Sequence, residues 1–304
     1  MMDLRQLQAL TAIADTGSFS AAAASLHTVQ SNVSSHIARL ERELGAQLVD
    51  RQAGQLTEEG QAVAERARRV ADELDAIVAD LAALRAEVVG TVRLGVIGTT
   101  ARWLTPLLLE ALAGAHPQVH LVVGEGTSTM LEPQVATGAH EIAVVNLPQA
   151  FPDLTATALF DEDLILVVPP DHALADRSRV DLGDLDGLEL LLPASGTTYR
   201  QELDEAAREA GVALVPRAEL DGVRLMASLT ARGFGPSILP ATTAAEGLDG
   251  FVRITVGGLP RRRVGAVVRR RARLSAPARA VLDILREVVE RRADEQYGIH
   301  PASG

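Results

Sequence analysis

Two kinds of polar constellation in this 304-residue chain have residue types and spacings that could do chemistry. The first is Gln30, Ser31, Asn32, Ser34, Ser35 and Arg39, crowded into little more than two helical turns. Gln and Asn amides can pair two-fold with adenine, serine hydroxyls fit phosphate or either base type, and arginine holds phosphate. The same face also suits an ordinary solvated surface, and the pattern alone does not separate the two. The second kind is a set of short loops after apolar stretches: Thr99-Thr100, Gly126-Thr127-Ser128, Asn146, and Ser195-Gly196-Thr197-Thr198. Hydroxyls beside the free N–H groups of a helix start form an anion site. Each Thr or Ser could equally be a plain helix cap. Together the loops fit a small carboxylate-bearing metabolite.

Other chemistry is poorly supplied. All 29 basic residues are arginine, so no P-loop lysine, Schiff-base lysine or lipoyl attachment exists. Cysteine is absent, which removes disulfides and thiolate metal sites and fits a reducing cytoplasm. His116 and His120 are four apart with Pro117 between them, which argues against helical metal ligation. No metal, no cofactor and no enzyme activity is expected, since no Gly-x-Ser-x-Gly, His-Glu-x-x-His or Gly-x-Gly-x-x-Gly occurs. No apolar run is long enough to span a membrane, and the N-terminus lacks a signal-peptide pattern. The net charge of −11 argues against a general nucleic-acid coat but leaves local DNA contact open.

Elements must position these residues. Leu4, Leu7, Leu10 and Ile13 recur at helical spacing, Ser18 suits the N-cap of a second helix with Ala22, Ala23 and Leu26 inside, and a third helix is expected from about 30 to 44. There Val33, Ile37, Leu40 and Leu44 form one apolar stripe, with the polar set on the other face. Leu48 to Thr57 suits a two-stranded wing, in which Arg51 is the candidate phosphate or minor-groove contact. Val63, Ala67, Val70, Leu74, Ile77, Leu81, Leu84 and Val88 alternate in steps of four and three, an a/d heptad pattern. A helix from about 58 to 85 would run ~40 Å. The alternative is one amphipathic helix packed on its own domain; its length and strict period favour a dimer seam.

From Gly90 the texture changes. Apolar strands near 91–97, 120–124 and 142–145 alternate with helices near 101–113 and 130–137, a β-α-β-α-β order that argues for a parallel sheet. A second α/β set follows: strands near 163–168, 188–192, 214–216 and 238–240, with helices at 199–210 and 223–232. A strand at 264–268 and a helix at 276–292 close the chain. Two crossovers between subdomains are expected, near 161–165 and 264–269. The arginine runs 261–263 and 269–271 with Arg273 fit a solvated edge that discourages strand pairing, with DNA or subunit contact as the alternative. The tail from Asp294 is expected to fray.

The order Leu-x-x-Leu, Gly-Ser-Phe-Ser-x-Ala-Ala, Gln-Ser-Asn-Val-Ser, Ile-x-x-Leu-Glu-x-Glu-Leu-Gly, Arg, Leu-Thr-Glu-Glu-Gly over residues 3–60 resembles the winged helix-turn-helix of LysR-type transcriptional regulators. Downstream, Gly-x-x-x-Thr-Thr at 95–100, His-Pro-x-Val at 116–119, Pro-x-x-His-x-Leu-Ala at 169–175 and Gly-x-Gly-x-x-Ile-Leu-Pro at 233–240 resemble the effector domain of that family. Departures are Val29 before the Gln, Ser35 in place of a basic residue, Val49 in place of a wing aromatic, Gln52 and Gln55 in place of basic wing residues, and Pro236.

The resemblance implies a mixed fold: an all-α winged helix-turn-helix at 1–60, a linker and dimerisation helix at 61–88, and an α/β effector domain at 89–304 like periplasmic binding proteins. Its subdomains would cover about 89–162 with 267–304, and 163–266. The implied function is sequence-specific binding to double-stranded promoter DNA at a dyad-symmetric T-N11-A site. Ser18, Gln30, Ser31, Asn32, Ser34, Ser35, Arg39 and Arg51 would contact DNA. Thr99, Thr100, Thr127, Ser128, Asn146, Thr197 and Thr198 would contact a small-molecule effector. The seam Val63, Val70, Leu74, Ile77, Leu81 and Leu84 would make a homodimer, which the family would double to a homotetramer. The rival readings are a small-molecule-binding protein with an oligomerisation module and, with less support, an α/β enzyme. Residues 1–66 hold five arginines against eight acids, so one head should grip DNA weakly and two or more must act together.

Overall fold

The computed structural model describes residues 2–50, 54–83, 88–244, 250–270 and 273–302. The chain divides into two units, Met1–Glu87 with Ala136–Ala139, and the remainder.

In the first unit, α1 (Leu4–Thr16), α2 (Phe19–Ser25) and α3 (Gln30–Leu44) enclose one core. A reciprocal cap between Asp3 and Gln6 starts α1, and its stripe buries Leu7, Leu10 and Ile13. The small Ala22 and Ala23 of α2 let it pack closely on its neighbours. Val33, Ile37 and Leu40 of α3 are fully buried, whereas Leu44, the last residue of the helix, is exposed, so the stripe is one residue shorter than its spacing indicates. The wing pairs β1 (Val49–Asp50) with β2 (Gln55–Leu56). The Glu41 carboxylate of α3 accepts from the Leu48 and Val49 amides at 2.9 and 3.3 Å, fastening wing to helix. Then α4 (Glu58–Ala83) begins at once. Gly60 is obligatory there: a Cβ would collide with the Leu48 carbonyl.

The second unit contains two six-stranded mixed sheets. Lobe one comprises β3 (Gly90–Ile97), α5 (Gly98–Ala115), β4 (Val119–Gly126), α6 (Ser128–Thr137), β5 (Ile142–Leu147) and β6 (Leu154–Glu162). Lobe two follows: β7 (Leu164–Val168), β8 (Arg179–Asp181), β9 (Glu189–Pro193), α7 (Thr198–Ala210), β10 (Val215–Leu220), α8 (Val223–Ala231), β11 (Ser237–Pro240), α9 (Ala241–Ala244) and β12 (Val252–Gly257). The chain returns to lobe one with β13 (Arg262–Arg269), α10 (Ala276–Arg292) and β14 (Ile299–Pro301). The strand orders are β4-β3-β5-β13-β6-β14 and β10-β9-β11-β7-β12-β8. In both, a first strand lies between two parallel partners, and an antiparallel strand from the other end of the chain follows. The lobes share this arrangement over five strands, and the sixth differs: β14 runs antiparallel to β6, whereas β8 runs parallel to β12. Fully buried runs such as Leu164–Val168 and Ile142–Val145 are what strands covered on both faces require.

Three expectations are corrected. The second crossover lies between β12 and β13, at 258–261, several residues before 264–269, because β13 already belongs to lobe one at Arg262. The tail is not frayed: β14 pairs with β6 and buries Ile299. The arginines 261–263 are not a solvated edge, since each meets an acid. Arg263 chelates Asp161 at 2.8 and 3.1 Å, Arg261 reaches Asp163 at 2.8 Å, and Arg262 lies 3.6 Å from Glu202. The hydrogen bond from Arg263 holds the Asp161 carboxyl below its ordinary value.

Candidate nucleic-acid interface and effector crevice

The polar face of α3 is presented as a surface. Gln30, Ser31, Asn32, Ser35 and Arg39 are exposed and Ser34 is half-buried, while the opposite stripe is core. The N-cap is Val29, which has no hydroxyl to give, and it is itself 59% exposed. Thr28 does not take over the cap; its Oγ1 accepts from Asn32 Nδ2 at 3.0 Å. No side chain therefore covers the first backbone N–H groups of α3, the donors that phosphate takes at a helix start. Ser18 is placed differently. Its Oγ accepts from the Ala21 amide at 3.1 Å as the cap of α2. Arg51 lies outside the described residues.

Along α4, the early turns serve the head: Ala64 and Ala67 are buried in its core, with Val63 half-buried against it. Further on, Val70, Leu74, Ile77 and Leu81 are 41%, 40%, 58% and 59% exposed. These are the a/d positions, so within one chain the seam has no apolar cover. Leu84 lies outside the described residues. An open groove lined by Met2, Leu4, Leu7 and Val70 flanks this stripe.

In the second unit, right-handed crossovers run in opposite directions from β3 to β4 and from β4 back to β5. By the general rule for such sheets, this places α5 and α6 on opposite faces and makes the carboxyl ends of β3 and β4 the place for a crevice. Lobe two repeats this at β9 and β10. The expected hydroxyl loops lie at these strand ends, Thr99-Thr100 and Thr127-Ser128 in lobe one, Thr197-Thr198 in lobe two, with Asn146 at the end of the neighbouring β5.

Their hydrogen bonding differs. Ser128 Oγ accepts from the Asn146 amide at 3.0 Å, and the Thr127 and Thr129 hydroxyls lie 2.8 Å apart. Thr197 is a cap: Oγ1 accepts from the Arg200 amide at 3.2 Å and donates to the Ala194 carbonyl at 2.8 Å. Thr198 is exposed. By contrast Thr99 Oγ1, Thr100 Oγ1 and Asn146 Oδ1 are buried and without a hydrogen-bond partner among the described residues.

Sequence reasoning missed the charged groups here. Glu125 and Glu219 occupy equivalent positions, each opposite the penultimate residue of the neighbouring parallel strand, Val96 and Leu192. Arg224 of α8 pairs with Glu125 at 3.1 Å and so joins the lobes. Arg200 pairs with Glu219 at 2.7 Å and Ser195 Oγ donates to the same carboxylate, so Arg200 first and Ser195 second hold the Glu219 carboxyl below its ordinary value. Gly98, at the start of α5, has the Glu125 carboxylate where a Cβ would stand. The repeat of strand order around β3 and β9 was the available signal, and it is invisible without the sheet.

Residues 4–61 match the model of bacterial regulatory helix-turn-helix proteins of the lysR family, and residues 85–290 that of the LysR substrate binding domain. A probable hydrogen peroxide-inducible genes activator of Streptomyces viridosporus is 31% identical over 293 residues, 94% of each chain. OxyR of Escherichia coli K12, described as a DNA-binding transcriptional dual regulator, is 28% identical over 302 residues, 97% of each chain. Full-length CbnR complexed with its target DNA superposes with a TM-score of 0.70 at 25% identity, covering 96% of this chain and 100% of that one. A winged head followed by a two-lobed effector-binding domain defines a DNA-binding transcriptional regulator, and the similar proteins are regulators rather than enzymes. The chain belongs to the LysR family.

Proposed function

We propose that two or more of these chains bind one dyad-symmetric operator of the T-N11-A kind in the cytoplasm, with the first turns of α3 in successive major grooves. The observation that carries this reading is the exposed, uncapped start of α3. Gln30, Ser31, Asn32, Ser34 and Ser35 read base edges; Arg39, Arg51 and the helix N-terminus hold phosphate. Val29, apolar and exposed beside Gln30, fits contact with a thymine methyl. The exposed a/d stripe of α4 supports pairing through a second copy of α4. Leu109 of α5 and Val122 of the edge strand β4, both exposed, support a further contact that builds a tetramer from two dimers.

A small polar effector, carboxylate-bearing by the chemistry of the hydroxyl loops, binds between the lobes. Its anchors are Thr99 and Thr100 with Asn146, whose polar atoms are otherwise unspent, and the rim is Thr127, Ser128, Thr197 and Thr198. Arg224 neutralises Glu125, so the rim tolerates a negative ligand. Some relatives are named for hydrogen peroxide. This chain has no cysteine, so no thiol is available for oxidation, and binding here is non-covalent. Closure of the lobes then changes the spacing of the heads through α4.

The test is footprinting of promoter DNA at low salt by the full-length protein. Asn32→Ala should weaken protection about 10- to 100-fold. Unchanged protection would remove α3 from the interface. A thermal-shift screen of small carboxylates follows, each stabilising compound being tested for an altered footprint.

A further inference from the structure

Two segments carry the chain between the lobes, one at Asp163 and one at 258–261. Around them, Asp161-Glu162-Asp163 runs antiparallel to Arg261-Arg262-Arg263, with Glu162 directly opposite Arg262 and Asp161 opposite Arg263. The outer rungs are ordinary ion pairs, Asp161 with Arg263 and Asp163 with Arg261, and Asp163 is also hydrogen-bonded to His300. The middle rung is different. Glu162 is fully buried and the Arg262 side chain is 10% exposed.

Both residues stand on lobe-one strands, yet their side chains reach Thr242, Tyr199 and Glu202 of lobe two. Glu162 Oε2 accepts from Thr242 Oγ1 at 2.6 Å and from the Thr242 amide at 3.2 Å, on α9. Arg262 lies over the Tyr199 ring, 5.2 Å from its centroid, and 3.6 Å from Glu202 Oε2, both on α7. The Tyr199 hydroxyl donates to the Ile238 carbonyl at 2.8 Å, which fixes the ring. In turn α9 packs on α5, whose first turn bears Thr99 and Thr100, and α7 starts at the Thr197-Thr198 loop. The rung thus lies between the two crevice-bearing helices. It is also incompletely bonded: Arg262 Nε and Nη1, Glu162 Oε1 and Thr243 Oγ1 are buried without hydrogen-bond partners among the described residues. A buried charge group with spare donors and acceptors can exchange partners between two arrangements, whereas a saturated one cannot.

We infer that Glu162 and Arg262 are positioning residues for the crevice, a single buried hinge group that sets how far lobe two swings toward lobe one. Burial raises the Glu162 carboxyl from its ordinary value against the opposing pull of Arg262, which agrees with a carboxyl enclosed by the hinge. The role of the crevice as an effector site is the reading proposed above. The hinge is tested with no effector present, so the two can fail separately.

The absence of cysteine makes the experiment direct. Gln118→Cys in lobe one and Glu205→Cys in lobe two, both at exposed positions, take spin labels on the full-length chain, and pulsed electron resonance measures the distance between them. The parent should give a narrow distribution and Arg262→Met a broad, displaced one. Arg262→Lys, which keeps the cation, should restore the narrow one, and Arg263→Gln on the outer rung should leave it unchanged. A parental distribution in Arg262→Met, a broad one in Arg262→Lys, or equal broadening in Arg263→Gln overturns the inference. If Arg262→Met does not fold, Glu162→Gln/Arg262→Met leaves no unpaired charge at position 162 and keeps the acceptor for Thr242; broadening supports the hinge group and a parental distribution overturns it.

Discussion

The two lobes share a five-strand arrangement, and they use the same position in opposite ways. Glu219 of lobe two is tied inside its own lobe, by Arg200 and Ser195. Glu125 of lobe one is tied across to Arg224 of lobe two. The hydroxyls follow the same division. In lobe two, Thr197 is committed to capping α7, whereas in lobe one Thr99 and Thr100 keep buried hydroxyls without partners among the described residues. At these strand ends lobe two spends Thr197 and Glu219 within itself, whereas lobe one keeps the Thr99 and Thr100 hydroxyls and offers Glu125 to its neighbour.

Mutations can break or sharpen that contrast. Arg200→Ala should be the most damaging, costing about 2 kcal/mol in denaturant unfolding, because the Pro193 carbonyl and the Asp204 and Glu219 carboxylates lose a nearly buried donor. A loss no greater than for an exposed arginine would show that the Ser195–Glu219 loop holds itself. The threonines should then part in sign. Thr197→Ala should destabilise by about 1 kcal/mol through the lost cap. Thr100→Val should stabilise the ligand-free protein by about 1 kcal/mol, since it removes a buried unpaired hydroxyl, while weakening effector binding. Destabilisation by Thr100→Val would mean that its hydroxyl is already satisfied. Arg224→Ala should change stability by less than about 1 kcal/mol, as for other exposed pairs.

The hinge offers a pH test with two signs. Asp161, held down by Arg263, contributes stability that is present above its unfolded pKa and lost as pH falls through its folded one. The deficit of Arg263→Gln should therefore be largest at neutral pH and vanish in acid. Glu162 is raised, so its ionisation opposes folding as pH rises, and Glu162→Gln should gain on the parent in that direction. Parallel pH profiles for the two variants would show that the neighbours do not titrate independently.

Much of this is legible in the amino-acid sequence, for a physical reason. The helices of the head announce themselves by periodic burial, and α4 by a strict repeat, because both signals are local. The βαβ strands of both lobes are apolar runs and were equally plain. Strands β6, β8, β12 and β14 were not placed, since their residues mix charge with apolar positions and their partners are remote in sequence. Arg261–Arg263 reads as a solvated edge because the acids that meet it, Asp161, Asp163 and Glu202, are remote along the chain. Of the candidate site, the hydroxyl loops could be located, but not which hydroxyls were already spent. That division depends on Ser128 reaching Asn146 and Thr197 reaching Ala194, contacts that only the fold creates.

One junction in the head has a mechanical consequence. Gly60 presses against the Leu48 carbonyl, that carbonyl also accepts from the Thr57 amide, and the Thr57 hydroxyl spans the Gln47 carbonyl and the Gly60 amide. The root of the wing and the first turn of α4 are therefore one rigid piece with no compliant joint. A rotation of the first turn of α4 must therefore carry Gln47 and Leu48 with it, like a key on its shaft.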